Sequence, residues 1–102
     1  MVNVVWTETA LNSLRLVFEF YALQANHSTA KKIVKGITEE TLLLKTNYAM
    51  GQRENLLKNK MYEYRYLVKG NHKIIYWIEP KHVFIALVFD CRQNPEKLQT
   101  LR

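Results

Sequence analysis

The sequence predicts an α+β fold, and two observations carry that reading. Between Ala10 and Leu44, apolar residues recur at three- and four-residue steps, the period of helices that bury one stripe. Between Met61 and Phe89, three β-rich runs are separated by Lys69-Gly70-Asn71 and by Pro80-Lys81, which is turn chemistry. Helices first and strands later in one chain place a helical layer on one face of an antiparallel sheet.

Each element follows in order. Val2 to Trp6 is a short β-rich run, and Thr7 offers a hydroxyl N-cap with Glu8 in the first turn. Ala10, Leu11, Leu14, Val17, Phe18, Tyr21 and Ala22 form the first helical stripe. Asn26-His27-Ser28 interrupts it, with Ser28 as the expected cap of a second helix. In that helix Ala30, Ile33, Val34, Ile37, Thr41 and Leu44 take one side, and Lys31, Lys32, Lys35, Glu39 and Glu40 take the other. Two helices joined so briefly form an antiparallel hairpin. The second helix should fade near Lys45, and Thr46 to Arg53 reads as a connecting loop.

Met61 to Val68 is the next expected strand, with Tyr62, Tyr64 and Tyr66 at alternate positions. His72 to Glu79 and His82 to Phe89 complete a meander. The last is almost entirely apolar and should be central. Asn94-Pro95 then resembles a helix start, with asparagine as cap and proline at the first helical position. The expected architecture is an N-terminal strand, the helical hairpin on an antiparallel sheet of three to four strands, and a short C-terminal helical turn.

Composition narrows the function. The chain has 102 residues, of which 48% are hydrophobic and 12% aromatic, with only 3 Gly and 2 Pro, so one folded domain over residues 1–102 is expected. No apolar run approaches the ~20 residues of a membrane-spanning helix. The first ten residues hold no Lys or Arg, and Glu8 interrupts any signal-like apolar core. The single cysteine, Cys91, excludes an internal disulfide framework and a multi-cysteine zinc site. A cytoplasmic protein without metal or cofactor is the expectation. Net charge is +6, and it is uneven. Residues 1–52 hold five basic and four acidic side chains, whereas residues 53–102 hold ten and five. Such an excess suits an acidic partner on one face, or simply a solvated surface.

A family resemblance rests on specific residues. Trp6-Thr7 and Ala10 stand before Leu14; Ala30 and Ile37 lie in the second helix; Gly51 precedes Leu56-Leu57. Then come Tyr64-Arg65-Tyr66-Leu67-Val68, Asn71-His72-Lys73-Ile74-Ile75-Tyr76 and Val88-Phe89-Asp90-Cys91-Arg92-Gln93-Asn94-Pro95. In this order and spacing the chain resembles the RelE/ParE superfamily of bacterial toxins from type II toxin–antitoxin modules. The resemblance implies a growth inhibitor neutralised by a cognate antitoxin encoded beside it. Two mechanisms occur on that fold. ParE-like members poison DNA gyrase; RelE-like members cut mRNA in the ribosome.

The residues weigh these alternatives. Cutting RNA through its 2′-OH needs a base, an acid and cations for the phosphate. Arg65, Lys73 and Arg92 match basic positions of RelE-like toxins, and Lys58 and Lys60 lie just upstream, so all five are candidates for binding nucleic acid or another target. A catalytic Tyr or His near the C-terminus is usual in RelE-like nucleases. Here Gln93 to Arg102 contains neither, with Leu98 near the matching place. The gyrase-poison reading is therefore preferred, with the ribosome-dependent endonuclease as the alternative. His72 is expected at the surface, His82 to pair across the hairpin turn, and Cys91 as a structural or surface thiol. The three tyrosines are expected to pack, with base stacking as the other reading, and Asp90 and Arg92 to pair or to touch the target.

Antitoxin binding is common to both mechanisms. Leu11, Leu14, Phe18 and Val34 on the hairpin are the candidate contacts, through a helix in an apolar groove or strand addition at a sheet edge. Apolar residues left exposed there would favour a homodimer of the isolated chain or a toxin–antitoxin hetero-oligomer.

Overall fold

The computed structural model of the chain describes residues 1–92 together with Leu98 and Leu101. Strand β1 (Asn3–Trp6) leads into helix α1 (Glu8–Gln24), which returns through α2 (His27–Leu42) and a short 3-10 turn at Leu43–Lys45. Strand β2 (Gln52–Arg53), a second 3-10 turn (Asn55–Leu57), β3 (Arg65–Lys69), β4 (His72–Glu79) and β5 (His82–Asp90) follow.

The helix starts obey local hydrogen bonding. Ala10 N–H donates to the Thr7 hydroxyl at 3.1 Å, and that hydroxyl donates to Ile85 C=O at 2.8 Å. One side chain thus caps α1 and ties its start to β5. Helix α2 begins two residues earlier than Ser28 suggested. Asn26 is extended, and its side-chain oxygen accepts from Thr29 N–H at 2.7 Å.

The sheet is larger than the expected three to four antiparallel strands. Five strands are ordered β1-β5-β4-β3-β2. β1 lies parallel to β5, with Asn3 opposite His82 and Trp6 opposite Ile85. The helical hairpin carries the chain to the far edge of the sheet, and three antiparallel reversals from β2 to β5 return it beside β1 in the same direction. The expected loop at 46–53 ends in β2, whose Gln52 and Arg53 pair with Tyr66 and Arg65. Conversely, the expected strand from Met61 begins only at Arg65, so Tyr62 and Tyr64 precede the ladder. The helix start expected at Asn94-Pro95 lies outside the described residues.

Register assigns the two faces. Arg65, Tyr76 and Ile85 share the helix-bearing face, as do Leu67, Ile74 and Val88, and Lys69, His72 and Asp90. There Ala10, Ile37, Leu44, Ile74, Tyr76, Val83 and Ile85 form a fully buried core. Tyr66, Val68, Lys73, Ile75, Trp77, Phe84 and Phe89 belong to the opposite, helix-free face. A bulge at Ala86, between the Ile75–Leu87 and Tyr76–Ile85 pairs, turns Ala86 into that second cluster, beside Leu57, Tyr64 and Leu98. All three tyrosines pack there, Tyr64 buried and Tyr62 and Tyr66 half-buried.

Tyr76 fastens the long loop to the sheet. Its hydroxyl accepts from Gly51 N–H and donates to Tyr48 C=O, both at 2.9 Å. A Cβ at Gly51 would lie 2.8 Å from Tyr66 O and from Tyr76 Cε1, which is why glycine stands there. No described helix is long and apolar enough to cross a membrane.

Candidate functional site

The candidate cations are divided between the two faces. Arg65 projects toward the helix-bearing side at the β2 edge, where it donates to Gly51 C=O at 2.9 Å and pairs with Glu63 at 3.4 Å. Lys73 lies on the opposite face. Its Nζ is 2.7 Å from Glu54 Oε2 and 4.3 Å from the centre of the Tyr66 ring. The Glu54 side chain is 4% exposed and also accepts from Leu56 N–H at 3.2 Å, so it caps the 3-10 turn and neutralises Lys73 together.

Arg92 lies on the helix side again, past the end of β5. It forks onto Asp90, with Nε 3.0 Å from Oδ1 and one terminal nitrogen 2.7 Å from Oδ2, and the Arg92 N–H donates to Oδ1 at 2.8 Å. These bonds pull the Asp90 carboxyl down to about 2 and raise the Arg92 guanidinium above its ordinary value. Tyr21 Oη sits 3.3 Å from the same guanidinium. The arginine is therefore an ordering element between β5 and α1, while its exposed edge stays open to a partner.

Lys58 and Lys60 are gathered elsewhere. With Arg53, Glu63, Tyr62 and Tyr64 they line a half-open cleft of about 150 Å3 under the segment between β2 and β3. None of Arg65, Lys73 or Arg92 lines it.

His72 is buried rather than at the surface, only 3% exposed. It occupies the β4 end between Tyr21, whose ring centre is 6.0 Å away, and its register partner Asp90. Burial lowers its pKa, with Asp90 opposing and Arg92 reinforcing the shift. His82 faces Glu79 across the hairpin turn, and the Cys91 thiol is exposed.

The proposed hairpin contacts are not equivalent. Leu14 packs against the core, Phe18 and Val34 are half-buried, and Leu11 is exposed. Phe18 meets the His27 ring edge-on at 5.0 Å. The open apolar stripe of α1 is instead Leu16, Phe20 and Leu23, 57%, 48% and 85% exposed. This stripe, with Leu87 and Phe89 of β5, walls a groove of about 530 Å3. Spacing at i, i+4 and i+7 was the available signal for it.

Beside that groove runs a sheet edge. β1 covers β5 only as far as Ile85, so among the described residues Ala86 to Asp90 carry no strand on their outer side. One of the groups there, Val88 N–H, donates to the Ser13 hydroxyl at 2.9 Å. A helix face and an open strand edge thus border the same groove.

Comparison with known proteins is consistent with this architecture. A family model described as "ParE toxin of type II toxin-antitoxin system, parDE" matches residues 4–95. Among solved structures, the chain resembles one from the chromosomal ParDE toxin–antitoxin system of P. aeruginosa, at 18% identity and a TM-score of 0.72, over 88% of this chain and 96% of that one. It also resembles the YoeB dimer of Staphylococcus aureus, at 24% identity and a TM-score of 0.58, over 86% and 94%. The YoeB–YefM complex of the same organism matches at 23% identity and a TM-score of 0.51, over 87% and 95%. These likenesses are of fold. No curated protein matches the chain.

Proposed function

The chain belongs to the ParE toxin family of type II toxin–antitoxin systems, and from that premise we propose that it arrests growth by binding DNA gyrase rather than by cutting RNA. The observation that carries this reading is the arrangement of Arg65, Lys73 and Arg92. A phosphate clamp needs its cations convergent on one place and free to pair with the anion. Here Lys73 faces away from Arg65 and Arg92, and each of the three is already engaged by Glu63, Glu54 or Asp90. Residues 93–102 also contain no Tyr or His to serve as acid or base.

An antitoxin completes the proposal. The YoeB–YefM structures give a precedent for a partner protein on this fold. The groove along Leu16, Phe20 and Leu23 suits an amphipathic helix, and the β5 edge beyond Ile85 suits an added strand. Leu11, Phe18 and Val34 do not line that groove, so its apolar anchors are Leu16, Phe20 and Leu23. Covering these side chains removes exposed apolar area that would otherwise promote self-association.

The test is a supercoiling assay with purified bacterial gyrase, relaxed plasmid and ATP. Added toxin should inhibit supercoiling in a dose-dependent way, and pre-mixing with the protein encoded beside its gene should relieve the inhibition. Undiminished supercoiling with soluble, folded toxin in molar excess would contradict the proposal.

A further inference from the structure

The helix-free face carries a feature that packs on the second cluster and that the antitoxin groove does not use. Tyr62, Trp77 and Phe84 form a continuous ring stack across the sheet. Tyr62 and Trp77 are 4.3 Å apart at 11°, and Trp77 and Phe84 are 4.9 Å apart at 15°. Tyr64 abuts Tyr62 and Trp77 edge-on, and His82 flanks Phe84 with ring centres 5.6 Å apart. All three stacked rings are only partly buried. Cations mark both ends: Lys58 and Lys60 line the cleft beside Tyr62, and exposed Lys81 directly precedes His82.

Resting on the gyrase reading, we propose that this stack is the surface that docks the protein target. The occupant would be an apolar protein patch with an acidic rim.

Two observations favour a protein over a nucleic acid. Bases stack on free ring faces, but both faces of Trp77 are covered by Tyr62 and Phe84, so the stack presents edges. Lys73, the cation within this face, is neutralised by Glu54. What remains is an apolar ridge with Lys58 and Lys81 toward its ends and the Glu79 carboxylate on its central ring. Large aromatic side chains ringed by charge have the composition of an interface hot spot. The Trp77 indole N–H is held by Glu79 at 2.8 Å, which fixes the central ring. The ridge lies on the sheet face opposite the helices, so target and antitoxin helix would meet different surfaces.

The test measures binding of purified bacterial gyrase to immobilised full-length toxin. The variants are Tyr62→Ala, Phe84→Ala and Lys58→Glu. Lys35→Glu, an equal charge reversal at an exposed position on α2, is the control. Tyr62→Ala and Phe84→Ala should each weaken binding about 30-fold, the size expected for an interface anchor. Lys58→Glu should also weaken it and flatten its salt dependence, while Lys35→Glu should change little. Lys58 is exposed, so its variant reports on the surface even if an aromatic truncation unfolds the chain.

Wild-type binding that all three variants match would overturn the docking surface and leave the gyrase reading standing. No wild-type binding would overturn both. Tight binding of a single-stranded oligonucleotide that Tyr62→Ala abolishes would assign the ridge to nucleic acid and also overturn the proposal.

Discussion

Lys73 Nζ lies 2.7 Å from Glu54 Oε2, and this pair joins strand β4 to the segment that crosses the helix-free face. Glu54 is nearly inaccessible, whereas Lys73 keeps about a quarter of its side-chain exposure. Removing the lysine alone strands a buried carboxylate, so Lys73→Ala should cost about 3 kcal/mol. Replacing both, Lys73→Met with Glu54→Gln, removes the uncompensated charge and should recover most of that loss. Urea unfolding of the two variants checks the difference. Equal losses would show that the pair is not coupled.

Gly51 predicts a second stability effect. A methyl group there would collide with the buried Tyr76 ring and with Tyr66 O. Gly51→Ala should therefore destabilise by about 2 kcal/mol, in the range of overpacked cores. Tyr76→Phe leaves room but removes the partner of Gly51 N–H and Tyr48 C=O. It should cost about 1–3 kcal/mol for the groups left unpaired. Thermal melts of both variants test this.

His72 makes stability depend on pH. Burial lowers its pKa below the ordinary 6.5, so the fold prefers the neutral ring. Its contribution is complete above the unfolded value and is lost as pH falls through the lower folded one. Asp90 behaves as a separate step. Its carboxyl is held near 2, below the ordinary 3.8, so its contribution persists until the solution is far more acidic. Unfolding free energies at pH 7 and pH 5 should thus differ in the wild type, and the difference should shrink in His72→Phe. An unchanged difference would assign the pH dependence to other groups.

The α1 stripe predicts a binding defect without a folding defect. Leu23 is 85% exposed, so Leu23→Glu should leave the melting temperature nearly unchanged. Its affinity for the antitoxin encoded beside the gene should fall about 30-fold, as expected of an apolar anchor. Calorimetric titration against that protein provides the measurement.

These residues show how far the sequence could be read. The helices were legible because their stripes keep a fixed period, and Thr7 because capping is local. The faces of Arg65 and Lys73 were not. Strand register depends on pairing that no local pattern encodes, and one residue of slip moves every side chain to the other face. β2 was missed because two residues carry no periodicity, and its pairing comes from β3. His72 looked like a strand-end surface residue, yet Tyr21 and Asp90 enclose it from α1 and β5. Glu54 gave no signal, because its burial depends on a lysine 19 residues away. The family resemblance was readable because it rests on the order of residues and not on their contacts.

Mapping of mRNA 5′ ends minutes after the toxin is induced without antitoxin separates gyrase binding from RNA cutting. The committed pairings of Arg65, Lys73 and Arg92 predict growth arrest with no new ends phased to codons. Codon-phased ends that disappear in Arg92→Ala, with the fold intact, would overturn the gyrase reading and establish a ribosome-dependent nuclease.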